Sequence, residues 1–322
     1  MRSLRWAGLL GLYVGAQVVA LLLAFPFKSA GLATTSNPNS PTDPILIIAV
    51  IVIAPLFILW GARRSGGLSA LRWLILLGMA ASLDITLGAV LGLVTPAPVY
   101  LPPYGLAQVA DLAVPLAAIA AVGMFLALLM EPQWYVVDTA GFVAGGSLIA
   151  ILGISFGILP CFILLGVLAV YDFIAVYRTK HMVSLADVVT DLKLPILMVM
   201  PAEADYDYTR SGSFQAQRNV PLEEREAMFM GLGDVVIPGT LIVSAFVWLP
   251  AGGGVLGVGA NLLAALGTLL GSLVGYAFLM GRVARGNAQA GLPFLNGGAL
   301  AGYILAFVLL YHNFSLGLTL AL

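Results

Sequence analysis

Two carboxylates stand inside apolar stretches of this chain. Asp172 lies within "LLGVLAVYDFIAVYR" and Asp234 within "MFMGLGDVVIPG". A carboxyl group near mid-bilayer costs at least about 2.5 kcal/mol to insert, so each needs a physical reason to persist. Two carboxylates facing each other at one level can share a proton, leaving one acid and one base beside the same water. Neighbouring residues suit such a site. Tyr171 adjoins Asp172 and offers a local hydrogen bond, while Gly231 and Gly233 flank Leu232 just ahead of Asp234 and let backbone approach closely. Pro238, four residues past Asp234, is predicted to disturb the helix there. A third irregularity, Leu292, Pro293, Phe294 and Leu295, opens the last apolar run.

The elements that must position these residues follow from composition. Of 322 residues, 61% are hydrophobic and 9% charged, and the mean hydropathy is +1.04. That charge content is too low for a water-facing surface and predicts an all-α polytopic membrane protein. Strand-type alternation is absent, which disfavours an outer-membrane barrel. With one cysteine, Cys161, and two histidines, His181 and His312, no disulfide forms within the chain and no metal centre is predicted. No cofactor is called for.

Apolar runs and their punctuation predict nine spans: Trp6–Phe27, Pro44–Trp60, Trp73–Val94, Ala107–Met130, Thr139–Ile158, Pro160–Tyr177, Ala227–Leu249, Val255–Gly281 and Leu292–Tyr311. The short "SFGILPC" link divides the fifth from the sixth, because Gly141 to Tyr177 is too long for one crossing. With the N-terminus in the cytoplasm, every Lys and Arg except Lys28 falls on the inner side. Trp6, Trp60, Trp73 and Trp248 fall at span ends, as an interfacial aromatic belt requires. Arg2 and Arg5 ahead of the first run resemble a signal peptide, but the run is long and is read as an uncleaved span. The expectation is a multi-pass cell-membrane protein with its N-terminus inside and its C-terminus outside.

Three segments result: helices one to six over residues 1–178, a cytoplasmic segment over 179–226, and helices seven to nine over 227–322. In the middle segment "HMVSLADVVTDLKLP" has a one-sided apolar pattern, predicting an amphipathic surface helix. The polar stretch from Ala202 to Glu226 is expected to be a flexible loop. Asp172 lies six residues before Arg178, about 9 Å inside the boundary at helical rise, and Asp234 eight residues after Glu226, about 12 Å inside. The two acids therefore meet at one depth on the same side. Asp84 is mid-span, with no functional account beyond a hydrogen-bonded packing role, and Asp111 begins span four near the outer interface.

Tyr171-Asp172 in span six, Gly231-Leu232-Gly233-Asp234 in span seven and Pro293-Phe294-Leu295 at the start of span nine resemble the signatures of the presenilin and signal peptide peptidase family, GxGD-type intramembrane aspartyl proteases. The likeness is nearest to the family's small microbial, presenilin-like branch. Phe294 stands where that family has alanine. The resemblance implies a presenilin-like fold and endopeptidase activity on peptide bonds within or near transmembrane helices, with Asp172 and Asp234 as the water-activating dyad. The remaining motif residues would bind substrate or shape the site. An unwound substrate segment is expected to be held by strand addition near the six–seven loop, or by the backbone at Leu292 to Leu295. The implied partners are transmembrane substrate proteins and membrane lipids, with no nucleic acid; accessory subunits are not evident and the oligomeric state stays open. The animal presenilins' long processed loop is absent, so self-cleavage is not implied.

Two other readings compete. A prepilin-peptidase-like GxGD protease would share the Gly-x-Gly-Asp motif but not the Tyr-Asp and proline elements. A proton-coupled transporter or channel would use paired membrane carboxylates, yet the two halves show no convincing inverted repeat. Small-xxx-small pairs such as Gly271/Gly275 and Gly298/Gly302 are read as close packing within one molecule rather than a dimer interface.

Overall fold

An apolar run in lipid has to satisfy its own backbone, and the α-helix does so within one segment. The computed structural model describes residues 2–62, 67–94, 113–179, 190, 193–203, 205–210, 224–252, 257–283 and 289–318. Among these the long helices are α1 (Arg2–Ser29), α2 (Asp43–Ala62), α3 (Gly67–Val94), α4 (Ala113–Met130), α5 (Trp134–Ser155), α6 (Ile158–Tyr177), α7 (Leu232–Trp248), α8 (Ala260–Val283) and α9 (Leu292–Tyr311). Six have the length and apolar character to cross a membrane, in α1, α3, α5, α6, α8 and α9. Shorter apolar helical stretches are Asp43–Ala54, Pro115–Met130 and Leu232–Trp248. The expected break between spans five and six is present, with Phe156 and Gly157 extended between α5 and α6.

Span seven differs from expectation. Its first residues, Ala227–Gly231, are not helical but form strand β2, which pairs antiparallel with β1 (Leu197–Pro201). Leu197 lies opposite Gly231 and Pro201 opposite Ala227. Flanking bonds extend the ladder: Ala202 N–H donates to Glu226 O at 2.7 Å and Leu232 N–H to Ile196 O at 3.0 Å. A five-residue apolar run such as "AMFMG" carries no period that separates strand from helix, so hydropathy merged it with the following span. The depth of Asp234 reckoned at helical rise from Glu226 is superseded for the same reason, since a strand advances about twice as far per residue.

Of the segment over 181–195 expected to form the surface helix, Thr190 is described and helical and Lys193–Pro195 are described and not helical, while the rest of it and Asp111 lie outside the described residues. The loop expected to be flexible is anchored where it is described. Tyr208 is fully buried, with Lys193 Nζ 4.5 Å from its ring centroid, and Gln133 Nε2 donates to Asp207 Oδ1 at 3.1 Å. The Thr209 hydroxyl, then the Gln133 amide, hold the Asp207 carboxyl below the usual carboxylate range.

Helix α5 is the most buried of the six helices long and apolar enough to cross a membrane. Its small residues explain this: a Cβ at Gly145 would lie 2.9 Å from Leu232 Cδ1, and one at Gly146 2.9 Å from Val19 Cγ1. Near its start, Asp138 is buried and accepts the Val199 N–H at 2.7 Å, tying β1 to the bundle. Leaving that buried amide unpaired would cost about 1–3 kcal/mol. Helices α8 and α9 approach closely enough that Cβ atoms at Gly271 and Gly302 would lie 2.7–2.8 Å from the facing backbone. These glycine pairs are thus intramolecular packing, as read. Asp84 is the exception to a packing role, because it is exposed on the outer side of α3.

Candidate active site

The site forms where three chain segments meet, at α6, at the β2–α7 junction and at the entry to α9. On α6, Asp172 is buried, at 7% exposure, and faces the segment before α9. Its Oδ2 accepts the Leu292 N–H at 3.1 Å. This donor is available because it belongs to the first turn of α9, where no earlier carbonyl of the helix claims it. Asp234 sits in the first turn of α7, half-buried, three residues past the end of β2. A Cβ on Gly291 would lie 2.6 Å from its Oδ1 and 2.8 Å from its Oδ2. Residues 291 and 292 therefore touch both carboxylates, one through a missing side chain and the other through an amide. A water between such a pair could give a proton to one carboxylate while the other hydrogen-bonds a carbonyl.

The structure places each sequence-predicted site residue as follows. Gly231 ends β2, and a Cβ there would lie 3.4 Å from Asp234 Oδ2. Gly233 is exposed, and a Cβ there would meet nothing within 4 Å. Close backbone approach is therefore not what these glycines provide. They leave the space beside Asp234 open. Leu232 is buried against Gly145 and anchors the junction rather than facing the opening. Tyr171 is half-buried beside Asp172. Pro238 lies within α7, which runs unbroken from Leu232 to Trp248, so the expected disturbance does not end the helix.

Pro293 also differs from expectation. It lies in the first turn of α9, where a missing N–H costs nothing, so it starts the helix rather than interrupting it. The irregular backbone is the preceding Gln289–Ala290–Gly291, of which Ala290 is fully buried. The N–H of Leu292 goes to Asp172, and those of Phe294 and Leu295 go to Gly291 O at 3.2 and 3.1 Å. With proline between them, this segment has no amide left to clamp a substrate strand. Leu295 is fully buried and Phe294 half-buried.

Several supporting residues escaped the sequence reading. The Tyr177 hydroxyl donates to Gln289 Oε1 at 2.7 Å and accepts the Ala290 N–H at 3.4 Å, which fixes the irregular segment to the end of α6. Asn296 Nδ2 donates to Leu165 O at 2.9 Å and holds α9 against α6. Gln17 Nε2 donates to Val235 O at 2.9 Å and supports the start of α7. The one available indication was polarity: Gln17 and Asn296 are amides within apolar runs, a cost that needs a partner. A cavity of about 470 Å³ is lined by Phe173 and Tyr177 of α6, Arg282 of α8 and residues of the α9 entry. Among the described residues no cluster of His, Cys, Asp and Glu could hold a metal ion.

Comparison with known proteins bears on this geometry. Residues 10–311 match the family model described as signal-peptide peptidase, presenilin aspartyl protease. Two solved structures of a presenilin family intramembrane aspartate protease are similar. The one in space group C222 is 29% identical, covers 94% of this chain and 99% of its own, and superposes with a TM-score of 0.65. The one in space group P2 is 30% identical, covers 92% and 95%, and has a TM-score of 0.61. No curated protein sequence matches the chain.

Proposed function

The chain belongs to the signal-peptide peptidase and presenilin family of aspartyl proteases, and from that premise we propose that Asp172 and Asp234 are its catalytic pair. The protein is an intramembrane aspartic endopeptidase, a hydrolase of transmembrane substrates, as its family and structural neighbours are. The observation that carries the site assignment is the convergence of both carboxylates on Gly291 and Leu292. One aspartate takes a proton from water while the other, protonated, donates to the scissile carbonyl, so that charge developing on that oxygen is met by a hydrogen bond. Tyr171, Gly231, Leu232, Gly233 and Leu292 to Leu295 shape the site around them.

A substrate helix hides its carbonyls in its own hydrogen bonds and has to unwind before attack. Strand β2 leads within three residues to Asp234, so an extended segment added to the β1–β2 sheet would run toward the dyad. Nine spans, an inner N-terminus and an outer C-terminus complete the reading, supported by the placement of every Lys and Arg except Lys28 on one side. The segments 1–178, 179–226 and 227–322 are then an N-terminal helical part, a cytoplasmic connector and a C-terminal helical part.

Two measurements test this. A purified single-span reporter in liposomes with the wild-type protein is expected to yield fragments whose new ends map inside or next to the apolar segment. Intact reporter, together with proton flux through the same liposomes, would support the transporter reading instead. For topology, cysteines introduced singly at Ser3 and Asn313 in a Cys161→Ser background are expected to label from opposite sides of the membrane. Labelling from the same side would refute the odd number of spans.

A further inference from the structure

A second cavity, of about 580 Å³, has a lining that includes neither aspartate. Three helix ends meet around it. Arg72 comes from the first turns of α3, Leu129 and Met130 from the end of α4, and Gln133 from the residue before α5. Lys193, ahead of β1, faces it from the connector. Trp73 adjoins Arg72 and is exposed, with its ring centroid 5.6 Å from that of Phe125, the placement of an aromatic at a membrane boundary. One side of the cavity is therefore apolar and turned to lipid, where Met130 is 76% exposed, and the other is polar. Its volume is in the range of small-ligand sites.

Both cations are held in place. The Arg72 guanidinium gives an N–H to Leu129 O at 3.1 Å, at the carbonyl end of α4, and a guanidinium has five such donors. Lys193 has φ 53°, a backbone conformation sparsely populated by residues other than glycine, and its Nζ lies 4.5 Å from the Tyr208 ring centroid. Strained positions of this kind cluster at binding sites. Nearby acids do not cancel the two charges. Asp207 is paired with Arg210 at 3.2 Å and also receives Gln133 Nε2 and the Thr209 hydroxyl. Glu131 is exposed and contributes the negative charge of the lining. The first turn of α5, which no side chain caps, adds the positive end of its dipole next to Gln133. An arginine fork, a lysine charge and a helix N-terminus together suit a phosphate group.

We propose that this cavity binds the phosphate headgroup of an anionic lipid, a phosphate monoester as in phosphatidic acid, with the acyl chains lying along α3 and α4. Thermal unfolding of the full-length protein in a neutral detergent would be followed during titration with dioctanoyl phosphatidic acid. The midpoint is expected to rise saturably, while phosphatidylcholine of the same chain length leaves it unchanged. An equal rise with inorganic phosphate would overturn the lipid assignment, and an equal rise with phosphatidylcholine would overturn recognition by charge. Arg72→Gln and Lys193→Gln are each expected to weaken binding about five-fold, the effect of one cation beside such a headgroup. Arg282→Gln makes the same change of charge on α8, outside this lining, and is expected to leave the affinity unchanged. Glu131→Gln, at an exposed position, is expected to keep the fold and to tighten binding by a similar factor, which tests the site even where the other variants unfold. Wild-type affinity in folded Arg72→Gln and Lys193→Gln, or in Glu131→Gln, would overturn the site.

Discussion

Asp172→Asn and Asp234→Asn are each expected to lower reporter cleavage by about 10²–10⁴-fold or more, with the fold retained. Asparagine keeps the shape of the side chain, and its carbonyl can still accept the Leu292 N–H that binds Asp172 at 3.1 Å. What it removes is the ability to exchange a proton. In the proposed dyad one proton serves both groups, so either substitution is expected to stop the shared step and the double variant to be no slower than the slower single one. Circular dichroism and thermal unfolding in detergent check the fold, and initial cleavage rates in liposomes check the chemistry. Activity within ten-fold of wild type in either folded variant would remove that aspartate from the dyad.

The second large effect is expected at Gly291. Its backbone, φ −79° and ψ −47°, is open to any residue, so a substitution there is tested for space rather than for strain. An added Cβ would lie 2.6 Å from one oxygen of Asp234 and 2.8 Å from the other, closer than such contacts tolerate. Either the carboxylate or the α9 entry has to move. A displacement on the order of 1 Å at a reacting group can cost about 10²-fold in rate, and Gly291→Ala is expected to lose that much. Gly297→Ala is the control on the same helix, since a Cβ there meets nothing within 4 Å and alanine is the better helix former. If Gly291→Ala cleaves within about three-fold of that control, the contact with Asp234 does not set the site's geometry.

Tyr177 and Gln289 show how the site is held from outside. Their hydrogen bond, at 2.7 Å, joins the end of α6 to the side chain of a residue three positions before α9. It spans 112 positions in sequence, and neither residue stands out in the chain by type or spacing. Asp138 is similar. It could be seen at the edge of span five, but its task of receiving the Val199 amide depends on a strand that hydropathy did not reveal. Asp84 shows the converse: an acid in mid-span was expected to be packed, and the fold leaves it on the outer side of α3.

What the amino-acid sequence determined by itself was the class of solvent and the identity of the unusual residues. Apolar runs in lipid have one local solution, so the helices and the break at Phe156–Gly157 were legible from composition and length. The insertion cost of a carboxylate made Asp172 and Asp234 conspicuous, and the fixed order of the motifs around them carried the family resemblance. The tertiary structure alone decided how these residues meet. A short apolar segment does not encode whether it pairs as a strand or continues a helix, so β2 depended on the distant Leu197–Pro201 to become one. Likewise, a proline does not say whether it breaks a helix or begins one. Pro293 begins one because the backbone before it is bound to α6, and that arrangement brings an amide to Asp172 and a bare glycine to Asp234.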